Sequence, residues 1–370
     1  MNQTTVNETQ AMIAESAQRL FSENVDRKLL DAFEEGQWPA RLWELARDSG
    51  FAQATASEAD GGIDATWSDV YPVLRGIGYW QVPLPLGETL VASWLLSRAG
   101  LPVPTGPMTI IEQGQGNDLR LTRDGAGVVI AGEARRVPYG RYAEHVLVSG
   151  RVDGQQVIAL LDVASAGDAL SVEPGVNIAR EPSDTLRFRD ARAAGADWAL
   201  PGLAQPVWTL GALVRSAAIV GALESALEQA VAYANERVQF GKPIGKYQAV
   251  QQSLAQLAGE TAAARMATLI AIGAAPDAAA PHVGTTAFDT AAAKVRAGEA
   301  ASKGTSIAHQ VHGAIGFTYE HSLHYATRRL WSWRAEFGSD AQWAERLGQA
   351  AIEARAAGFW AGLTQRALIA

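Results

Sequence analysis

The sequence ERVQFGKPI, residues 236–244, lies between two long stretches of helical periodicity and places an arginine, an amide and an aromatic ring at their junction. Arg237 can donate two parallel, charge-assisted hydrogen bonds to a pyrophosphate, and Phe240 can cover a planar ring. Gly241 and Pro243 predict that the chain turns here. The run therefore suits a cofactor that carries both phosphates and a ring, although a surface arginine in an ordinary helix-turn-helix is the alternative.

The hydrophobic periodicity around this run divides the chain into three parts. Residues 1–103 show mostly helical spacing, whereas residues 104–203 hold short β-branched runs between turns that contain glycine and aspartate. Helical spacing returns over residues 204–370. We therefore predict an α+β protein with an N-terminal helical domain, a middle β-sandwich or barrel domain and a C-terminal helical bundle of the four-helix type.

The C-terminal part has the most regular periodicity, and its alanine content favours helices in close contact. Apolar residues recur at helical spacing in five segments, which cover residues 212–231, 247–272, 289–312, 319–334 and 342–357. In the middle part, β-branched runs predict strands at 127–130, 145–148 and 156–161.

The composition of the 370 residues excludes several classes of function. A formal net charge of −8 argues against nucleic acid, whose phosphates need a basic surface. The absence of cysteine excludes disulfides and thiolate chemistry, and the six histidines do not form a metal-binding pattern. No segment reaches the roughly 20 apolar residues of a membrane span, and the N-terminus lacks the pattern of a signal peptide. We expect a cytoplasmic metabolic enzyme without a metal.

A second motif, QVHGAIGFTYEH, covers residues 310–321 at the end of the third predicted helix of the C-terminal part. Its two glycines allow a backbone to approach a ligand closely, and Gln310 offers both donor and acceptor groups. A helix C-cap with Gly313 or Gly316 in the left-handed region would explain the same glycines. This motif alone does not decide between a ligand site and a cap.

Together, the two motifs and the domain order resemble the acyl-CoA dehydrogenase family of flavoproteins. The resemblance rests on ERVQFGKPIGKYQAVQQ, residues 236–252, on QVHGAIGFTYEH about 70 residues later, and on the order of a helical, a β and a second helical domain. It is strongest over residues 208–338. In the first domain, EADGGI, residues 58–63, is similar to the Gly-Gly loop of the family.

The resemblance implies an FAD bound where subunits meet and the α,β-desaturation of an acyl-CoA thioester. In the family, the arginine of the R-x-Q-F-G motif binds the FAD pyrophosphate of a neighbouring subunit, and the Q-x-x-G-G segment reaches the adenosine part of the same flavin. An electron-transfer flavoprotein is the implied electron acceptor. The residues that match these cofactor contacts are Arg237, Gln239, Phe240, Gln310, Gly313 and Ala314, which replaces a glycine, with Gln248 as a further candidate.

The chain departs from the family in the segments that line the flavin ring. The family segment that resembles T-E-P-x-A-G-S-D corresponds here to IIEQGQGND, residues 110–118, and is much altered. The later strand, which in the family carries a tryptophan-threonine-serine run, reads RRVPYGRYA over residues 135–143. The hydroxyl and the tryptophan that contact the flavin in the family are therefore missing.

The catalytic base is the second departure. Desaturation needs a carboxylate to remove the α-proton, and many relatives carry it in a Y-E-G-T segment. The matching position here is Phe337, with Glu336 one residue earlier. One residue rotates a side chain by about 100° on a helix, so Glu336 is a candidate base only if the local turn compensates. Other relatives place the base on the helix before the R-x-Q-F-G motif, where residues 211–212 are glycine and alanine.

These losses suggest that the chain completes the FAD site of a different subunit. Some bacterial relatives are heterotetramers in which one subunit supplies the base and the flavin bed and the other completes the site. The resemblance thus predicts a second acyl-CoA dehydrogenase subunit as partner. The alternatives are a self-sufficient homo-oligomer that uses Glu336, a catalytically silent structural subunit, and a flavin-dependent monooxygenase of the same fold.

Overall fold

Helices form the N-terminal part of the molecule, as the periodicity predicts. The computed structural model describes residues 8–200, 202–276 and 285–369. The α-helices of its N-terminal part are α1 (Glu8–Asn24), α2 (Arg27–Glu34), α3 (Ala40–Asp48), α4 (Trp67–Tyr79) and α5 (Leu86–Ala99). Local capping sets where two of them begin, because the Asp26 side chain accepts the Leu29 N–H and Thr66 and Asp69 form a capping box.

The middle part is one curled, mixed β-sheet. Its strands are β1 (Met108–Glu112), β2 (Asp118–Asp124), β3 (Gly127–Pro138), β4 (His145–Val152), β5 (Gln155–Asp162), β6 (Leu170–Glu173) and β7 (Ser183–Asp197), with a short helix α6 (Val163–Ala166) after β5. Their order is β1-β4-β5-β7-β3-β2, and β6 pairs with β7. Strands β1 and β4 are parallel, and the other pairs are antiparallel. Strand β7 pairs with β3 along most of its length and with β5 at its C-terminal end, which curls the sheet.

A β-bulge interrupts the pairing of β3 with β7. Ala134 faces Leu186 and Val137 faces Asp184, so Arg135 and Arg136 together oppose a single residue of β7. The φ angle of Arg136 is 56°, in the left-handed region that side chains other than glycine seldom adopt. The bulge therefore interrupts, at these two arginines, the regular alternation of side chains between the two faces of the sheet.

The C-terminal part consists of long helices, and the predicted α+β architecture is confirmed. The helices are α7 (Pro206–Glu236), α8 (Gln248–Ala274), α9 (Thr286–His312), α10 (Leu323–Trp333) and α11 (Asp340–Thr364), which kinks at Arg355. Strands β8 (Val238–Gln239) and β9 (Lys242–Pro243) form a hairpin between α7 and α8. Helix α10 begins at Leu323, later than the predicted 319, because Gly313–Phe317 form a separate 3₁₀ turn that Gly313 enters at positive φ.

Helix α7 is the core of the C-terminal part. It approaches α4 so closely that a Cβ added to Gly78 would lie 1.7 Å from the Ala218 carbonyl oxygen, and one added to Gly221 would lie 1.9 Å from the Arg75 oxygen. Glycine permits this direct contact of backbones. In the described part of the chain, α7 alone is long and apolar enough to cross a membrane, but 83% of that apolar window is buried inside the protein. It is therefore a core helix.

Candidate cofactor and active site

The hairpin between α7 and α8 carries Arg237, Gln239 and Phe240. Phe240 and Gly241 form its two-residue turn with φ angles of 50° and 82°, the combination of a type I′ turn. A phenylalanine in this conformation costs on the order of 1–2 kcal/mol. Its side chain is 93% exposed and makes only an edge contact with Tyr247, at 6.5 Å between ring centroids, so packing within the described chain does little to offset this cost. The ring is presented to solvent at the tip of the hairpin.

Backbone contacts hold the base of the hairpin while the Arg237 side chain faces solvent. The Arg237 carbonyl accepts the Ile244 N–H at 2.8 Å, and the Gln239 carbonyl accepts the Tyr247 hydroxyl at 3.1 Å. The exposed Arg237 guanidinium forms no ion pair with any residue that the structure describes. It is therefore available to donate to an anion.

The other predicted cofactor residues lie at the same end of the helical bundle. Gln248 is the first residue of α8, Gln310 lies in the last turn of α9, and Gly313 and Ala314 follow that helix; all four are exposed. An apolar cluster around Val311 joins the end of α7 to the start of α8 and the end of α9. The structure thus brings the predicted residues to one end, and their contact with FAD stays a prediction. We call this region the hairpin surface, formed by Arg237, Gln239, Phe240, Gln248, Gln310, Gly313 and Ala314.

A cavity of about 610 Å³, here called the sheet cavity, lies between the β-sheet and the turn after α10. Its volume is within the usual range of ligand pockets. Both segments in which the sequence departs from the family line it, through residues 110–117 and 135–138. None of the lining residues from these two segments carries a hydroxyl group. These two segments therefore offer no hydroxyl, whereas Ser183 of β7, which pairs with Pro138, brings one to the lining.

Glu336 lies at the edge of the sheet cavity with 17% of its side chain exposed. Its Oε2 accepts from Arg215 Nε at 2.6 Å, and its Oε1 accepts from Asn177 Nδ2 at 3.1 Å. Arg215 also pairs with Glu88, which is fully buried. Burial raises the pKa of Glu88, and the attraction of Arg215 opposes that rise. The Arg215 guanidinium thus pairs with two carboxylates, and both oxygens of Glu336 accept hydrogen bonds. The role of Glu336 as a base stays a prediction.

The two positions at which relatives carry the base contact each other. Phe337 packs against Gly211, where an added Cβ would lie 2.4 Å from Phe337 Cδ1. The turn around Phe337 is held in place, because its carbonyl accepts the Trp343 indole N–H at 2.9 Å and Lys294 Nζ donates to the Gly338 carbonyl at 2.6 Å. Burial lowers the pKa of Lys294 to about 7. A ring and a glycine occupy these positions, and neither offers a carboxylate.

Comparisons with known proteins identify the family. The model of the acyl-CoA dehydrogenase N-terminal domain matches residues 7–102, and the model of the C-terminal domain matches residues 203–358, so that together they cover about two thirds of the chain. The chain belongs to the acyl-CoA dehydrogenase family. It is therefore an FAD-dependent oxidoreductase that acts on an acyl-CoA and works as an oligomer, and the predicted family, activity and cofactor are confirmed.

Individual relatives match this acyl-CoA dehydrogenase over almost its whole length. Acyl-CoA dehydrogenase IpdE2 of Mycolicibacterium smegmatis is 26% identical over 329 residues, which are 88% of this chain and 93% of IpdE2. The structure of a variant of the Tcur3481-Tcur3483 steroid ACAD has a TM-score of 0.83 at 25% identity, over 94% of this chain and 99% of that one. The ChsE4-ChsE5 complex from Mycobacterium tuberculosis has a TM-score of 0.82 at 23% identity, over 95% and 99%.

A buried polar network in this acyl-CoA dehydrogenase extends from Glu336 and was missed by sequence reasoning. Beyond Asn177 it reaches Glu181, whose Oε2 accepts from Asn177 Nδ2 at 3.2 Å and from Trp333 Nε1 at 2.9 Å. Glu181 Oε1 pairs with Arg329 Nε at 3.0 Å. Through Arg215, the network joins α5, α7 and α10 to the loop before β7, and so connects all three parts of the chain. A lone arginine within the apolar run of α7 was the available signal, because a buried charge needs a partner.

Glu112 is a second buried carboxyl group that sequence reasoning did not single out. It lines the sheet cavity. Its Oε2 accepts a hydrogen bond at 3.1 Å from the backbone N–H of Trp208, which lies in the first turn of α7. Burial raises the pKa of Glu112 to about 8, although the hydrogen bond from Trp208 acts in the opposite direction. Near pH 7 the group is therefore mostly protonated and neutral.

Helix α7 separates the hairpin surface from the sheet cavity. Arg215, which pairs with Glu336 at the cavity edge, lies near the start of α7, and Arg237 caps its C-terminal end. The intervening helix has about six turns, and at 1.5 Å per residue it spans roughly 33 Å. The two regions of this dehydrogenase chain are therefore at opposite ends of the helical bundle.

Proposed function

We propose that this chain is one subunit of a heteromeric acyl-CoA dehydrogenase, and that its hairpin surface completes an FAD site whose ring lies against another chain. The separation of roughly 33 Å along α7 between Arg237 and the network at the sheet cavity supports a ring that lies in another chain. The observation that carries a different kind of subunit is the lack of a carboxylate at Phe337 and Gly211, the two positions where relatives carry the base. In FAD a single ribityl chain joins the pyrophosphate to the ring. The phosphates that Arg237 binds then belong to a cofactor whose ring a second subunit holds.

The hairpin surface has the chemistry that the polar half of FAD requires. Arg237 supplies a permanent charge and two parallel donors for the pyrophosphate, and Gln310 offers a donor and an acceptor for the adenosine. Phe240, which is strained and exposed, gains a packing partner when the cofactor covers it. When bound, FAD accepts the hydride that leaves the β-carbon of the acyl group.

In this proposal the second subunit supplies the carboxylate that removes the α-proton. Phe337 and Gly211 stand at the two positions where relatives carry that carboxylate, and Glu336 is engaged by Arg215 and Asn177. The similar Tcur3481-Tcur3483 and ChsE4-ChsE5 proteins each pair two differently named components, which supports a second kind of subunit as the partner. We further propose an electron-transfer flavoprotein as the electron acceptor and a cytoplasmic location, as the family resemblance implies.

The visible spectrum of the chain purified alone tests the proposal. The isolated chain is expected to carry much less than one FAD per chain and to give no dye reduction with an acyl-CoA. Co-purification with a second dehydrogenase subunit, such as one encoded beside it, is expected to restore both. A full complement of FAD together with acyl-CoA-dependent dye reduction by the isolated chain would contradict the proposal.

A self-sufficient homo-oligomer is the second candidate, and the position of Glu336 favours it. Glu336 lines the sheet cavity and keeps part of its side chain exposed. In that case its carboxylate would take the α-proton on release from Arg215. The homo-oligomer would then carry one FAD per chain, and Glu336→Gln would lower its turnover by roughly 10² to 10⁴.

A further inference from the structure

Arg136 lines the sheet cavity at a positive φ, a feature that it shares with Gln115 and Phe337, and it differs from these two residues in its positive charge. The β-bulge holds it at a φ of 56°, and its exposed guanidinium forms no hydrogen bond or ion pair within the part of the chain that the structure describes. Its neighbour Arg135, by contrast, pairs with Glu133. Strained residues that the surrounding structure maintains are concentrated at ligand sites. Arg136 is therefore a candidate contact for a ligand of this cavity.

The loop after β1 fixes the bulge that presents Arg136. The Asn117 side chain accepts the Arg135 N–H at 3.1 Å and donates to the Glu112 carbonyl at 2.9 Å. The Arg136 guanidinium lies beside Gly116, 3.8 Å from the position that a Cβ would take there. Loop and bulge thus form a rim with defined hydrogen bonds, and the arginine projects from that rim along the cavity wall.

Apolar residues supply about half of the rest of the cavity lining. Ile110 and Val137 contribute from the sheet, Ile178 from the loop before β7, and Trp208 and Trp331 from the helices. Their combined surface suits a flat or aliphatic body. An occupant that also satisfies Arg136 must therefore be amphipathic.

The acidic residues of the lining leave the charge of Arg136 uncompensated. Glu336 already has a cationic partner in Arg215, which also pairs with Glu88. Glu112 is buried with a pKa raised to about 8 and is mostly neutral near pH 7. A single guanidinium in this setting matches a monoanion such as a carboxylate, which accepts its two parallel N–H groups.

We propose that the sheet cavity binds an apolar carboxylate, with the carboxylate group on Arg136 and the apolar body against the walls of the cavity. This occupant replaces the flavin ring that relatives hold between the same segments. The proposal rests on the proposed function, because a self-sufficient homo-oligomer would hold its flavin ring in this cavity, and the binding test is distinct from the FAD content of the hairpin surface at the other end of α7.

Fluorescence titration of the full chain with 1-pyrenebutyrate tests the proposal, because 1-pyrenebutanol has the same ring system and chain without the charge. We expect saturable binding of the carboxylate with one site per chain, and binding of the alcohol that is about tenfold weaker or more. Arg136→Gln is expected to weaken the binding of 1-pyrenebutyrate to the level of the alcohol. Arg136→Lys is expected to weaken this binding less. Arg120→Gln, the matched control on an exposed arginine of β2 outside the cavity lining, is expected to leave both affinities unchanged.

Arg136→Gly keeps the test decisive if another variant fails to fold. Glycine adopts the bulge conformation without strain, so the thermal midpoint is expected to stay level or rise while binding of 1-pyrenebutyrate is lost. Equal affinities for the acid and the alcohol, or equal effects of Arg120→Gln and Arg136→Gln, would overturn the proposal. Displacement of 1-pyrenebutyrate by riboflavin at lower concentration than unlabelled octanoate would also overturn it, since the cavity would then be a flavin bed.

Discussion

At the scale of single residues, Glu336 separates the two candidate functions. Glu336→Gln keeps one acceptor oxygen for its donors Arg215, Asn177 and Ser332, and removes the negative charge. If the second subunit supplies the base, turnover of the assembled enzyme is expected to stay within about tenfold, because a general base contributes roughly 10² to 10⁴. Turnover and FAD content are measured on the same preparation. A loss beyond about 100-fold at full FAD content would make Glu336 the base.

Glu112 is expected to make the chain less stable as the pH rises. Its pKa in the folded state is about 8, above the ordinary value of about 4.3, so between these values the folded chain holds a proton that the unfolded chain releases. This stabilisation is complete below about pH 4 and is lost as the pH approaches 8, by at most about 1.4 kcal/mol per pH unit.

Urea unfolding at pH 5.5 and 7.5 checks this expectation against Glu112→Gln, whose amide does not titrate. The free energy of unfolding of the unmodified chain is expected to fall relative to that of the variant between the two pH values. Parallel pH dependence of the two proteins would show that Glu112 is ionised in the folded state.

Single residues also mark the limit of what the sequence could predict. Arg237 and Phe240 were identified from a local motif, because the ligand chemistry of an arginine and a ring beside a turn is visible within nine residues. The pairing of Arg215 with Glu88 and Glu336 joins α5, α7 and the end of α10. The lone arginine in the apolar run of α7 indicates that a partner exists, but no periodicity or propensity identifies the carboxylates that it meets.

At the scale of elements, the hairpin between α7 and α8 stores strain at Phe240. Phe240→Gly removes the cost of positive φ but enlarges the entropy of the unfolded chain, so the stability is expected to stay within about 1 kcal/mol. The retention of FAD by the assembled enzyme is expected to fall, because the exposed ring then no longer covers the cofactor. Thermal unfolding and absorbance of bound flavin measure the two effects.

Trp360→Ala provides the comparison for this hairpin variant. It removes another exposed aromatic ring, 67% accessible on α11 and outside the hairpin surface. FAD retention is expected to remain at the level of the unmodified enzyme. If Phe240→Gly lowered stability by several kcal/mol while FAD content stayed constant, the ring would serve the fold and not the cofactor.

Elements were predicted well where apolar runs are buried. The observed α8 and α9 cover nearly all of the predicted segments 247–272 and 289–312, and the predicted strands fall within β3, β4 and β5, because buried apolar residues mark such elements directly. The order of the strands and the bulge at Arg136 were not predicted, since they depend on which strands meet in space. Likewise, the 3₁₀ turn at Gly313–Phe317 moves the start of α10 to a later residue without a change in apolar spacing.

At the scale of the whole molecule, the buried network that includes Arg215 holds the three parts of the chain together. Arg215→Met leaves Glu88 and Glu336 without their cation in a buried site, and the expected loss of stability is about 3–5 kcal/mol. Arg41→Met, on a side chain that is 75% exposed, is expected to change stability by less than about 0.5 kcal/mol. Urea unfolding compares them, and equal effects would mean that the network does not stabilise the fold.

That the hairpin surface of this chain completes an FAD site is the central claim, and Arg237→Ala in the assembled enzyme tests it most directly. Because Arg237 is exposed and forms no ion pair with the described residues, the variant is expected to fold and assemble normally. Loss of two charge-assisted hydrogen bonds is expected to lower the affinity for FAD by about tenfold or more. The measurement is the FAD content per assembly, with dye reduction on the same sample. Both are expected to fall together; unchanged FAD content and an unchanged rate would contradict the claim and make this chain a structural subunit alone.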